Sequence, residues 1–130
     1  MVQPRADPAA ASRVGHLALR RAERQQALIE RLHAVRGTRL PLSTLARDLQ
    51  VSPRTLARDV ERLRISGVPI KTRRGSGSGV GLPYGGALVS ITFNLPEPAA
   101  IMSGRAVLGP SVSPSATAAM RKLTAALQSQ

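Results

Sequence analysis

The chain has no cysteine and no tryptophan among its 130 residues. Without thiols there is no disulfide scaffold, no thiol nucleophile and no zinc–thiolate site. Aromatic residues make up only 2%, which leaves too few stacking platforms for a single-strand binder. No apolar run approaches the ~18 residues of a membrane span, and the start shows no secretory h-region. A cytoplasmic protein, neither secreted nor membrane-inserted, is the expectation. His16 and His33 are the only histidines, 17 positions apart, with no carboxylate at a metal-ligand spacing, so no metal site is expected. Asp59 and Glu61 are two apart and face different ways on a helix, so they form no acid–base pair. Gly75 to Gly81 fits neither the Rossmann nor the P-loop spacing. The reading is a protein that is not an enzyme, with no cofactor and no identifiable small-molecule effector site.

Acidic residues are also scarce. Nineteen basic residues face seven acidic ones, giving a net charge of +12 and an isoelectric point near 12.0. Such an excess on a chain that is 42% hydrophobic implies a folded protein with a polyanionic partner rather than a disordered tail. Seventeen of the basic residues are arginine, the side chain suited to bidentate recognition of phosphate and guanine. The charge has a location. Arg13 to Arg74 holds fifteen basic and five acidic residues, or +10, whereas Pro96 to Gln130 carries only +2.

Three segments follow from this partition: a disordered Pro- and Ala-rich arm over 1–12, a compact domain over 13–86, and a helical extension over 87–130. In the middle segment Leu28, Leu32 and Val35, with Ile29 beside them, repeat at helix spacing, and Gly37 is placed to end that helix. Thr38 to Pro41 reads as a short edge strand. Ser43 is placed as N-cap of a helix whose inner face is Leu45, Ala46 and Leu49. Gln50-Val51 makes a tight connection. Ser52-Pro53 then combines a cap with proline at the first helical position, and Leu56, Val60 and Leu63 follow at i, i+4, i+7 until Ser66-Gly67. Val68 to Arg74 reads as a strand, Gly75 to Gly79 as a hairpin tip, and Val80 to Tyr84 as the returning strand. Helix, strand, helix, helix and hairpin, in that order, describe a winged helix-turn-helix. The fold expected is mainly α with a small β-hairpin wing (α+β), followed by two amphipathic helices.

With the leucines and valine turned inward, the third helix presents Arg54, Thr55, Arg58 and Arg62 outward. Such a helix fits the major groove of a duplex, about 12 Å wide, where arginine makes two bonds to guanine. Ser43 and Ser52 are placed to meet phosphates, and Lys71, Arg73 and Arg74 on the wing would lie on the backbone or an adjacent minor groove. Double-stranded DNA is the expected partner. Two other readings stay open: a protein-interaction module on a degenerate winged helix, and RNA binding through the wing, the weaker because only Tyr84 and Phe93 offer aromatic faces.

The stretch Leu42 to Val60 resembles the DeoR-type, or type 11, helix-turn-helix of bacterial transcriptional regulators, through Ser-x-Arg-Thr-hydrophobic-x-Arg-Asp over Ser52 to Asp59. Gly67-Val68-Pro69-Ile70 and the glycine-rich wing resemble the N-terminal module of WYL-domain regulators, as does the later Phe93-Asn94-Leu95-Pro96-Glu97. The resemblance implies sequence-specific binding of double-stranded DNA through the Ser52–Arg64 helix. The sequence departs from it at Gln50, where glycine is usual; a positive φ there would cost glutamine about 1 kcal/mol. It departs again at Val80 to Pro83, where an aromatic and a basic residue are common. The chain also ends where the WYL sensor domain would begin, so no ligand sensing carries over.

Beyond the wing, Asn94 and Glu97 have capping-box spacing ahead of a helix with Ala99, Ile101, Met102, Ala106 and Leu108, broken at Gly109-Pro110. Ser113-Pro114 repeats the cap-plus-proline start. Ala116, Met120, Leu123 and Leu127 then form an apolar stripe. This stripe either packs back on the winged domain or joins a second copy; a homodimer through Met120, Leu123 and Leu127 is the favoured expectation.

Overall fold

The structure, a computed structural model, describes residues 7–75, 78–84, 90–108 and 113–129. Helix α1 runs from Pro8 to Ala34. Its start corrects the expected arm over 1–12: Asp7 caps the helix by accepting from the Ala9 N–H at 3.0 Å, and Pro8 occupies the first turn. This is the same cap-plus-proline signal as Ser52-Pro53, followed here by the strong helix formers Ala9, Ala10 and Ala11. Only 1–6 of that arm lies outside the described residues.

At the other end Leu28 and Leu32, one turn apart, are fully buried. Arg36 and Gly37 both take positive φ, so Arg36, one residue before the expected Gly37, makes the first left-handed step out of the helix. Helix α2 (Leu42–Asp48) buries Leu45 and Ala46, and Arg31 of α1 ties to Asp48 at its end at 2.6 Å. The expected cap at Ser43 is corrected. Pro41 is the N-cap residue and no side chain caps this helix; with proline's φ fixed there, the helix begins two residues earlier. Helix α3 (Pro53–Ile65) starts as expected, with Ser52 accepting from the Thr55 N–H at 3.1 Å. It buries Leu56, Val60 and Leu63, as the spacing predicts.

Helices α2 and α3 end in the same way. At the end of α3 the Val68 N–H reaches Leu63 O and the Gly67 N–H reaches Arg64 O. At the end of α2 the Val51 N–H reaches Ala46 O and the Gln50 N–H reaches Arg47 O. Both are Schellman motifs, which need one residue with positive φ. Gly67 supplies it at 98° and Gln50 at 57°. The condition attached to Gln50 is therefore met.

Since Val68 and Pro69 belong to that turn, the first wing strand is shorter than the expected Val68–Arg74. Strand β1 is Lys71–Arg73 and pairs antiparallel with β2 (Gly79–Gly81), Lys71 opposite Gly81 and Arg73 opposite Gly79. The segment 38–41 contributes a single bridge, Leu40 to Val80, on the other side of β2. Leu28, Leu32, Leu45, Leu56, Val60, Leu63, Ile70 and Val80 form one core beneath the three helices and the wing. The expected winged helix-turn-helix is the fold.

Helices α4 (Pro96–Leu108) and α5 (Pro114–Gln128) follow. Glu97 accepts from the Asn94 N–H at 3.2 Å, the reach-back half of a capping box. The break at Gly109-Pro110 and the side chains of Ala106 and Leu108 lie outside the described residues. Helix α5 is anchored to α1 at its first turn: Glu30 accepts from the Ser113 hydroxyl at 2.8 Å and the Ser115 N–H at 3.1 Å. A carboxylate at a helix N-terminus is favoured by the exposed N–H groups and the helix dipole. Partial burial raises the Glu30 pKa, but hydrogen bonds from Ser115, Ser113 and Gln26 outweigh it and leave the group below its ordinary value.

Replacing Gln50 with glycine is expected to stabilise the chain by up to about 1 kcal/mol, the left-handed strain less the entropy glycine adds to the unfolded state. Urea unfolding of the two proteins checks this; a lowered midpoint in the variant would contradict it.

Candidate nucleic-acid interface

Helix α3 has a side that the hydrophobic spacing does not reveal. Asp59 has none of its side chain exposed. A buried carboxylate must be paired, and Arg24 of α1 supplies the partner through both oxygens, one bond from Nε and one from Nη2 at 3.0 Å. The Gln25 amide adds a bond of 3.3 Å, and the Arg62 guanidinium approaches within 4.0 Å. The hydrogen bond to Asp59 raises the Arg24 pKa, against the opposing effect of burial. Asp59 therefore belongs to the frame and not to local balance of Arg58. The last residue of the Ser52–Asp59 signature is the clamp that fixes α3 on α1.

With Leu56, Asp59, Val60 and Leu63 inward, 100° per residue puts Arg54, Arg58, Glu61 and Ile65 on the opposite side. Arg54 and Arg58 are exposed, one turn apart, and neither meets a carboxylate among the described residues. Ile65 continues the line at 78% exposure. Thr55 and Arg62, expected on this outer face, lie toward its α1 flank. Arg62 is turned there by Asp59. Thr55 accepts a hydrogen bond from the Ser52 hydroxyl at 2.9 Å, which commits the Ser52 proton to the cap and leaves the Thr55 proton free to donate outward. Ser43 is exposed in the first turn of α2.

The wing cations divide. Arg73 and Arg74 line a groove between the hairpin and α3, whose other wall includes Ala57, Glu61 and Arg64. Glu61 and Arg64 form an ion pair along that wall at 3.2 Å. Lys71, grouped with Arg73 and Arg74 in the sequence reading, lies at the hairpin root in a separate hollow with Arg36, Arg39 and Tyr84. Arg36 and Arg39 were not singled out from the sequence; the alternation of Arg39 with the core-facing Leu40 is the signal that marks its side of the strand. Among the described residues no cluster of His, Asp and Glu could hold a metal ion, and no helix is long and apolar enough to cross a membrane.

Removing the Asp59 carboxylate strands a largely buried guanidinium, so Asp59→Ala is expected to cost about 3 kcal/mol. The double variant Arg24→Leu/Asp59→Leu, which removes both charges, should lose less than that single change. Urea unfolding of the three proteins provides the comparison, and equal losses would place the cost elsewhere.

Comparison with known proteins agrees with this geometry. Residues 24–80, from the clamp arginine to the buried valine of the wing, match the model of a type 11 family described as an HTH domain. Neither the curated proteins nor the solved structures contain a match to the chain. Residues 24–80 are thus similar to a helix-turn-helix domain in sequence and have that fold in the structure.

Proposed function

We propose that the chain is a sequence-specific transcriptional regulator that binds double-stranded DNA with α3 in the major groove and the wing on the backbone. The observation that carries this reading is the pair Arg54 and Arg58: exposed, one turn apart and paired with no carboxylate among the described residues, on a helix whose orientation is fixed by a buried clamp. Near the N-terminal half of α3 such arginines reach base edges, where each bidentate contact to guanine discriminates by about 1–3 kcal/mol. Thr55 donates to a phosphate or base beside them, Ser52 caps the same end of the helix, and Ser43, exposed in the first turn of α2, meets a phosphate. Arg62, turned toward Asp59, and Arg73 and Arg74, at the groove edge, act on phosphates. In a bacterial cell of the kind the DeoR and WYL resemblances suggest, the protein would sit in the cytoplasm on the nucleoid.

The same reading includes a homodimer, since paired half-sites call for a two-fold protein. Leu123 and Leu127 of α5 line an apolar hollow with Ile91, Phe93, Leu95 and Pro98, and Met120 lies in a second one beside Thr117 and Thr124. No residue of α5 itself is buried. These hollows support a helix-to-helix contact between copies.

Fluorescence anisotropy against the preferred duplex and a scrambled control tests the base-reading claim. Arg54→Ala or Arg58→Ala should reduce the preference for the cognate duplex about 5- to 150-fold, whereas Arg73→Ala should weaken both duplexes alike. Equal losses on both duplexes for every variant would remove sequence reading. Light scattering at micromolar concentration should give twice the chain mass of 13.7 kDa, reduced to the monomer by Leu123→Asp/Leu127→Asp; a monomeric wild type would exclude the dimer.

A further inference from the structure

The hairpin has two faces, and only one looks at α3. Side chains alternate along strands, and Val80, bonded to Leu40 and paired with Thr72, belongs to the core. Arg39, Lys71 and Gly81 therefore lie on the opposite, outer face, with Arg39 and Lys71 flanking Gly81 about 10 Å apart across two strand spacings. The Arg39 stem lies over the buried Gly81 backbone, its Cγ 3.4 Å from where a Cβ would stand.

Arg36 and Tyr84 close one end of this trough. Arg36 holds a left-handed conformation, φ 51°, uncommon for a side chain of its size. Next to it, Gly37 leaves the space in which Tyr84 packs: a Cβ there would meet the Tyr84 Cβ at 3.2 Å. The Arg36 guanidinium then lies over the Tyr84 ring, 5.8 Å from its centre. Arg36, Arg39 and Lys71 line one hollow of about 580 Å³ with no acidic residue in its walls. None of the three is paired with a carboxylate among the described residues.

We propose that the outer face of the wing sheet is a second phosphate-binding surface that holds the sugar–phosphate backbone of another nucleic-acid segment. It rests on the proposed DNA binding only for its setting, since none of its residues comes from α3. Three cations around one hollow, none paired with a carboxylate among the described residues, suit phosphodiester oxygens, which the guanidinium fork meets two at a time. The exposed Tyr84 ring adds a face for a sugar or base. Because the sheet stands between this trough and α3, the two surfaces engage different segments, and one chain holds two.

The test uses the full chain, duplexes of about one helical turn, and the variant Arg36→Gln/Arg39→Gln/Lys71→Gln, which keeps the side-chain stems. Titration at low salt should give two duplexes per wild-type chain and one per variant chain. The salt dependence of the second event should correspond to about three phosphate contacts, a log–log slope near −2.7. Single Lys71→Gln, at an exposed strand position, should reduce that slope by about 0.9 if the triple variant fails to fold. Arg54→Ala/Arg58→Ala should lose sequence preference yet retain the second duplex. A wild type without sequence preference that still loses its second duplex in the triple variant would defeat the regulator reading and leave this one standing. One duplex per wild-type chain would overturn the proposal. So would tighter binding of a labelled nucleoside triphosphate than of the duplex at this face, or equal displacement of the duplex by poly-glutamate.

Discussion

The buried ion pair between Asp59 and Arg24 is the constraint on which the arrangement depends. A carboxylate with no exposed surface cannot remain charged without a partner, and its partner comes from 35 residues earlier in the chain. Two bonds in a fork fix both distance and orientation, which apolar packing of Leu56, Val60 and Leu63 alone does not. Hydrophobic contacts tolerate small rotations of a helix about its axis; a bidentate guanidinium–carboxylate pair does not. The direction in which Arg54 and Arg58 point is therefore set by a residue on the opposite side of their own helix.

The turn between α2 and α3 applies the same logic to the backbone. A Schellman end reverses the chain in a defined way through one left-handed residue. At Gly67 the sequence supplies the residue that suits it, and at Gln50 it does not. The strain is absorbed because Val51, the next residue, packs against the core and its N–H is held by Ala46. Arg36 shows the same accommodation at the end of α1, where the left-handed step turns its guanidinium onto Tyr84. The three helix ends thus set the angle of the helix pair and bring 38–41 alongside β2.

Much of the fold was legible because its signals are local and periodic. Leu56, Val60 and Leu63 at helix spacing, Ser52-Pro53 and Ser113-Pro114 as starts, and the glycine-rich hairpin each follow from a few neighbouring residues. Asp59 was not legible, because a charged residue beside an apolar stripe looks like surface until its distant partner is known. The surroundings of Lys71 were not legible for a different reason. Sequence proximity joins it to Arg73 and Arg74, whereas the register sets it opposite Gly81, at the root of the hairpin and beside Arg39. Asp7-Pro8 carried the same start signal as the other two helices, but the composition around it suggested a tail. Ser43 failed as a cap because Pro41 fixes the helix start two residues sooner.

The chain's large positive charge acquires meaning once its arginines are sorted by partner. In the basic segment the carboxylates of Asp59, Asp48 and Glu61 meet Arg24, Arg31 and Arg64, and Glu30 is held by the first turn of α5. Those arginines join elements or balance a helix face. Arg54, Arg58, Arg73 and Arg74, together with Arg36, Arg39 and Lys71, meet no carboxylate among the described residues. Leaving so many like charges without partners raises the energy of the compact state. Their positions on the outer side of α3, along the groove beside the wing and on the wing's outer face are where a polyanion would relieve that repulsion. In this domain the paired arginines build the frame, and the unpaired ones are those proposed to meet phosphate.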